Sequence, residues 1–167
     1  WFLDQLEGAS AAYSMPLALR LSGPLQVAAL AASLTALVQR HEALRTTFPS
    51  VQGVPVQVIA PPQAVALPVV DLQAVPEAPQ AGTVQRLMAA EAQRPFALGQ
   101  GPLLRVVLLR LGGSEHVLLL TFHHIITDGW SLGVMVREVA TLYEAGRAGR
   151  PAGLAPLPLQ YADYAHW

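Results

Sequence analysis

The 167-residue sequence contains no cysteine. That absence removes disulfide scaffolds, thiolate zinc sites and cysteine nucleophiles together, and it fits a reducing compartment such as the cytoplasm. Lysine is missing too, all ten basic residues being arginine, which excludes Schiff-base chemistry and P-loop phosphate binding. Charge is scarce at 13%, the formal net charge is -1, and the arginines are scattered singly. With no basic stripe, neither nucleic acid nor anionic lipid is an expected partner. Nor is there a long hydrophobic run. The most apolar stretch, "LLRVVLLRLGGSEHVLLLTF", is broken by Arg105, Arg110, Glu115 and a glycine pair, short of the roughly 18 apolar residues that suggest a membrane span. What is present is a 53% hydrophobic content over one domain's length, enough to bury a core and too much for a disordered class. The chain begins "WFLDQL" without an initiator Met or a secretory n-region and ends "YADYAHW", so both ends read as cut rather than natural.

Periodicity orders the chain into strands and helices. "MPLALRLSG" puts Leu17, Leu19 and Leu21 on one face of a strand, and Gly23 with Pro24 supplies a turn and a proline suited to a first helical position. From Leu25 to about Leu44 the spacing of Val27, Leu30, Leu34, Leu37, Val38 and Leu44 predicts one helix with a single buried stripe. Short extended segments follow around residues 46–62 and 66–72, then a weaker helix from about Ala78 to Gln93 that stops before Pro95. "PLLRVVLLRL", "GGSE" and "HVLLLTFHH" form an expected hairpin of near-continuous apolar strands, buried on both faces at the centre of a layered fold. After Gly129, Leu132, Met135, Val136, Val139, Leu142 and Tyr143 mark another amphipathic helix ending near Gly146. A Pro/Gly-rich loop then leads to a short aromatic helix or turn at 161–167, and there is no internal repeat.

The chemistry concentrates in "TFHHIITDGWS", residues 121–131. Extended backbone through residue 124 would put His124 on the face of Phe122 and Leu120 and turn His123 the other way, so only one ring can face a given pocket. The other suits a structural place, donating to a backbone carbonyl or filling a core gap. Asp128 is a natural helix N-cap before "GWSLGVMV", and Gly129 permits a sharp turn. A metal site is disfavoured, because neighbouring strand positions diverge and no second His pair stands at ligand spacing. A Ser-His-Asp hydrolase is disfavoured by the lack of a GxSxG elbow. A single histidine without a nucleophile of its own suits transfer between two bound substrates, one of which brings the nucleophile.

"FHHIITDGWS" resembles the HHxxxDG core motif of nonribosomal peptide synthetase condensation domains, relatives of chloramphenicol acetyltransferase and other acyltransferases dependent on coenzyme A. "WFLDQL" at 1–6, "RHEALRTTF" at 40–48, "RPFALGQGPLLRVVLL" at 94–109 and "YADYAHW" at 161–167 agree in the family's order. The resemblance spans residues 1–167 and implies an α+β fold, a chloramphenicol acetyltransferase-like two-layer sandwich, of which this is the N-terminal subdomain only, with the C-terminal half absent.

It also implies roles. His124 would face the tunnel where donor thioester and acceptor amine meet, with His123 as support. Asp128 matches an acid paired with an arginine to hold the motif loop, a buried charge whose removal would strand its partner; that arginine could lie in the missing half. Gly129 matches a glycine that allows close backbone approach. Arg40 and Arg45 match two family arginines, but on one helix they lie about 140° apart, and Glu42 offers Arg45 a local ion pair. "DGWSLG" reads as condensation rather than epimerisation, and the His pair argues against heterocyclisation. The implied reaction is attack of the acceptor's α-amine on the donor thioester. An α-amine titrates near 7.7 to 8.0 and a free imidazole near 6.5, so a histidine removes the proton easily only after attack, or else orients the amine. No cofactor would bind directly: phosphopantetheine arms of donor and acceptor peptidyl carrier domains bring the substrates, beside an adjacent adenylation domain. The alternatives are an acyltransferase using coenzyme A and a catalytically idle interaction domain.

Overall fold

The computed structural model describes every residue except Ala9 and the side chain of Glu7. Its elements run α1 (Phe2–Glu7), β1 (Ser14–Ser22), α2 (Val27–Arg40), a 3-10 turn (Glu42–Arg45), β2 (Thr46–Thr47), β3 (Ser50–Val51), β4 (Val54–Pro55), β5 (Val58–Ile59), β6 (Val69–Asp71) and α3 (Glu77–Gln93). There follow β7 (Leu104–Arg110), β8 (Glu115–His123), a second 3-10 turn (His124–Ile126), α4 (Gly129–Arg147) and α5 (Tyr161–His166). Strand order in the main sheet is β1-β8-β7-β6, while β2 with β5 and β3 with β4 form small ribbons.

β8 is an inner strand, and this is why it is apolar on both faces. β1 pairs antiparallel along its length, from Ser14 opposite His123 to Ser22 opposite Glu115. β7 pairs antiparallel on the other side, from Leu104 opposite Phe122 to Arg110 opposite His116. Even positions Leu104, Val106, Leu108, Leu118, Leu120 and Phe122 turn to one face and meet Leu30, Leu34, Leu37 and Met135 of α2 and α4. Odd positions Leu109, Val117 and Leu119 turn to the other and meet Val84, with Leu87 and Met88, of α3. Period-two strands against period-3.6 helices thus give two apolar clusters separated by one sheet. Each fully buried Leu or Phe contributes about 1.5–3 kcal/mol, and Phe122, Leu108, Leu109 and Leu118 are all under 2% exposed. The expected α+β sandwich of sheet and helix pair is present; α3 adds a cover on the second face.

Two boundaries differ from the sequence reading. The helix expected from Leu25 to Leu44 begins at Val27 and ends at Arg40; His41 is extended, and Glu42–Arg45 form a separate turn. Pro24 is not the first helical residue because the start is fixed from outside: the Gln26 N–H donates to Tyr143 Oη of α4 at 3.0 Å. The second difference is at the histidine pair. β8 ends at His123, and His124 opens the 3-10 turn. No helix among the described residues is long and apolar enough to cross a membrane.

Candidate active site

His123 is the last residue of β8 and only 4% exposed. Its Nδ1 accepts the Ile125 N–H at 3.0 Å, pinning the turn that follows. An Nδ1 that accepts leaves the ring proton on Nε2, which points toward Asp4 Oδ1 of α1 at 3.8 Å. Neither of those two sealed atoms has another partner among the described residues. The ring also packs against Tyr13, centroids 5.9 Å apart, and meets Phe96 edge-on at 6.0 Å. Burial pushes its pKa below the ordinary imidazole value, with the Asp4 carboxylate opposing. His123 is therefore a neutral buried ring that joins β8, α1 and the motif turn.

His124 behaves differently because the strand has stopped. Its backbone N–H donates to Tyr13 O at 2.8 Å, and its side chain is exposed. It does not share the buried face of Phe122, as an extended strand would require: the 3-10 turn swings it out of the core. It opens into a cavity of about 410 Å3 whose wall also includes His41, Asp128, Ser131, Met135 and Gln160.

Asp128 caps α4. Its Oδ1 accepts from the Ser131 N–H at 2.8 Å and from the Ser131 hydroxyl at 2.6 Å, and these bonds hold its carboxyl below the usual carboxylate range. The side chain is exposed, and no arginine pairs with it among the described residues. The expected buried charge is thus a solvated cap. At Gly129 an added Cβ would meet nothing within 4 Å, so the close approach expected there is not made by the described residues either.

The two arginines part company. Arg40, at the end of α2, directs Nε to both carboxylate oxygens of Glu138 on α4, at 3.2 and 3.1 Å. Arg45 pairs with Glu42 at 3.1 Å, the local ion pair the spacing suggested, and also donates to Ala60 O. Arg45 lines a different cavity, of about 620 Å3, along β7.

Three residues of the site were not singled out in the sequence: His41, Glu138 and Gln160. His41 Nε2 lies 2.6 Å from Glu138 Oε2. Gln160 accepts the Glu42 N–H at 3.1 Å and donates to Arg40 O at 3.0 Å, tying the start of α5 to the α2 terminus. A signal for Glu138 existed: Ser131, Val134, Met135 and Glu138 fall at i, i+3, i+4 and i+7, so an acid occupies the stripe that lines the cavity. Three of the stretches quoted from the sequence also meet one another outside the cavity wall. Trp1 Nε1 donates to Phe48 O at 3.0 Å, and Phe48 N–H donates to Leu98 O at 2.7 Å. Asp4 of the first stretch faces His123 at 3.8 Å, and Gln160, just before the last, joins Arg40 and Glu42.

The family model for the Condensation domain matches residues 1–167. The chain is 49% identical over 167 residues to Chondramide synthase cmdD of Chondromyces crocatus, covering 100% of this chain and 4% of that protein. It is 47% identical over 167 residues to Phosphinothricin tripeptide synthetase PhsC of Streptomyces viridochromogenes, covering 100% of this chain and 15% of that one. The chain therefore spans a small part of the curated relatives it matches. Among solved structures, the X-domain from teicoplanin biosynthesis superposes with a TM-score of 0.87 at 38% identity, covering 100% of this chain and 35% of that one. The first condensation domain of the calcium-dependent antibiotic synthetase, in complex with a substrate analogue, gives 0.84 at 30% identity, covering 94% and 37%.

Proposed function

The chain belongs to the condensation-domain family, and from that membership we propose that it is the N-terminal part of a two-lobed domain that forms amide bonds in nonribosomal peptide synthesis. The donor is an acyl or peptidyl thioester on one carrier domain, and the acceptor is an aminoacyl group on a second. Both are held by phosphopantetheine arms, with an adenylation domain nearby to load them and the reducing cytoplasm, which a cysteine-free chain suits, as the setting.

The observation that carries the reading is the contrast within the histidine pair. His123 is sealed and bonded into the fold, whereas His124 stands open in a cavity with no fixed partner among the described residues. The acceptor nitrogen attacks the thioester carbonyl, a C–N bond forms, and the carbonyl oxygen takes up negative charge. The nitrogen, now far more acidic, gives a proton to His124. Collapse of the adduct breaks the C–S bond, and the departing thiolate takes that proton back from the imidazolium. Tethering both substrates supplies the effective concentration, so tight sites for free substrates are unnecessary. Asp128 and Ser131 hold the motif turn beside His124, and Arg40 and Arg45 fix the chain that runs along the cavity and behind it.

A related X-domain has been solved in complex with OxyB, so in that protein the fold serves docking. The test is His124→Ala in the full-length parent. The expected result is loss of amide formation between two loaded carriers, with the thermal midpoint nearly unchanged, because an exposed ring contributes little packing. Near wild-type transfer by the variant removes His124 from the chemistry, whereas a wild-type parent that joins no loaded carriers supports docking instead. Equal or better transfer from acyl coenzyme A, compared at equal concentration with the same acyl group on a carrier, moves the protein to the coenzyme A acyltransferases.

A further inference from the structure

We infer that His41 is an amine-binding group of the same cavity, held by Glu138, and that its Nδ1 receives an N–H of the acceptor's nucleophilic nitrogen. The inference rests on reading the cavity as the site of amide formation.

His41 lines the cavity that contains His124. Its main chain is fixed at both ends of the break between α2 and the first 3-10 turn: its N–H donates to Leu37 O at 3.0 Å and its carbonyl accepts the Leu44 N–H at 3.1 Å. Its ring is fixed as well, since Nε2 meets Glu138 Oε2 at 2.6 Å while Arg40 holds the same carboxylate. All three side chains are mostly buried, at 18%, 22% and 13% exposure for Arg40, His41 and Glu138. The Arg40–Glu138 pair already ties α2 to α4, so fastening those helices does not require the histidine.

The remaining polar ring atom is Nδ1, which makes no hydrogen bond among the described residues and is not sealed from solvent. An imidazole that donates from Nε2 presents Nδ1 as an acceptor. An amine supplies what that atom needs and loses nothing by it: one N–H goes to His41, and the lone pair stays free for the thioester carbon. The carboxylate and the second imidazole of the wall are differently placed. Asp128 Oδ1 is already occupied by Ser131, and His124 is assigned the proton released after attack. The two imidazoles then divide the work, one holding the nucleophile and one accepting its proton.

Two substitutions separate this role from a structural one. His41→Gln places an amide where Nε2 stood and keeps the Glu138 contact while deleting the acceptor at Nδ1. His41→Asn does the reverse, keeping a polar atom near Nδ1 and withdrawing from Glu138. The assay uses the parent synthetase with the donor on its carrier and a soluble aminoacyl thioester of N-acetylcysteamine as acceptor at varied concentration. His41→Gln should raise the acceptor KM roughly tenfold, the factor that one hydrogen bond of about 1.4 kcal/mol commands, with kcat within about threefold; His41→Asn should restore most of the affinity. A wild-type acceptor KM in His41→Gln overturns the inference. So does unfolding of His41→Gln, or a shared fall in kcat and thermal midpoint with KM unchanged, because those outcomes make the ring structural. His124→Ala in the same assay distinguishes the two failures. If it is inactive while His41→Gln is wild type, only this inference falls; if it is active, the reading of the cavity falls first.

Discussion

At the scale of single residues, the adjacent histidines show how one step of chain geometry assigns chemistry. His123 accepts a backbone N–H and is buried; His124, one residue on, has left the sheet and is exposed. Burial also governs His116 of β8, whose pKa falls because its ring is desolvated and Arg110 stands near. For both buried rings the sign is the same. The unfolded chain takes up these protons near pH 6.5, the folded protein only at lower pH, so between the two the unfolded state binds more protons and stability rises with pH. The contribution is complete above about pH 6.5 and is lost as pH falls through the depressed folded values. The thermal midpoint of the complete domain should therefore be flat from pH 8 to 7 and fall on acidification toward pH 5. His123→Ala should start lower at neutral pH, having lost its contacts with Tyr13 and Phe96, and lose less on acidification. A midpoint that rises as the pH drops would contradict the assignment.

At the scale of elements, the regular pieces were legible and the places where tertiary contacts override local pattern were not. The β7–β8 hairpin and α4 follow from alternating and helical apolar spacing, which depend only on which face is buried. Leu44 also satisfies helical spacing from Leu37, yet the helix stops at Arg40, because Glu138 holds the His41 ring and Gln160 bridges Arg40 O and the Glu42 N–H. Those partners are about 100 to 120 residues away along the chain, beyond any local window. In the candidate site the HHxxxDG residues could be found by spacing; Glu138 shared the helix stripe of Ser131, Val134 and Met135, but its pairing with His41 was not legible, since an acid on a helix stripe gains meaning only once the opposing helix is in place. Asp128 belongs to this scale as well, because it caps the start of α4. Asparagine is as good an N-cap as aspartate and alanine is poor. Asp128→Asn should thus leave the thermal midpoint near wild type while Asp128→Ala lowers it, read by calorimetry; the opposite ranking would show that charge, not capping, is what Asp128 provides to the helix.

At the scale of the whole molecule, the unusual feature is how much large apolar surface remains uncovered. Trp130 of α4 is 83% exposed and Trp167 is 95% exposed. Tyr161, Tyr164 and Trp167 form a ladder on one side of α5, with ring centroids 6.1 and 6.2 Å apart, and Phe2, Leu3 and Leu6 of α1 are exposed as well. Monomeric proteins rarely tolerate contiguous apolar patches beyond a few hundred Å2. The solved relatives contain more than twice this length of chain, since the match covers 35% of one and 37% of another. We propose that the additional length, as a second lobe, covers these aromatics and closes the open side of the His124 cavity. The 167 residues expressed alone should then self-associate and fail to catalyse transfer. Tyr164→Glu with Trp167→Ser should reduce the association without restoring activity, because the substitutions remove the sticky ladder but supply no cavity wall. Light scattering at tens of micromolar protein checks the first part, and the two-carrier transfer assay checks the second. A monodisperse chain that unfolds cooperatively and forms amide unaided would mean that the aromatic face needs no cover and that the cavity is already complete.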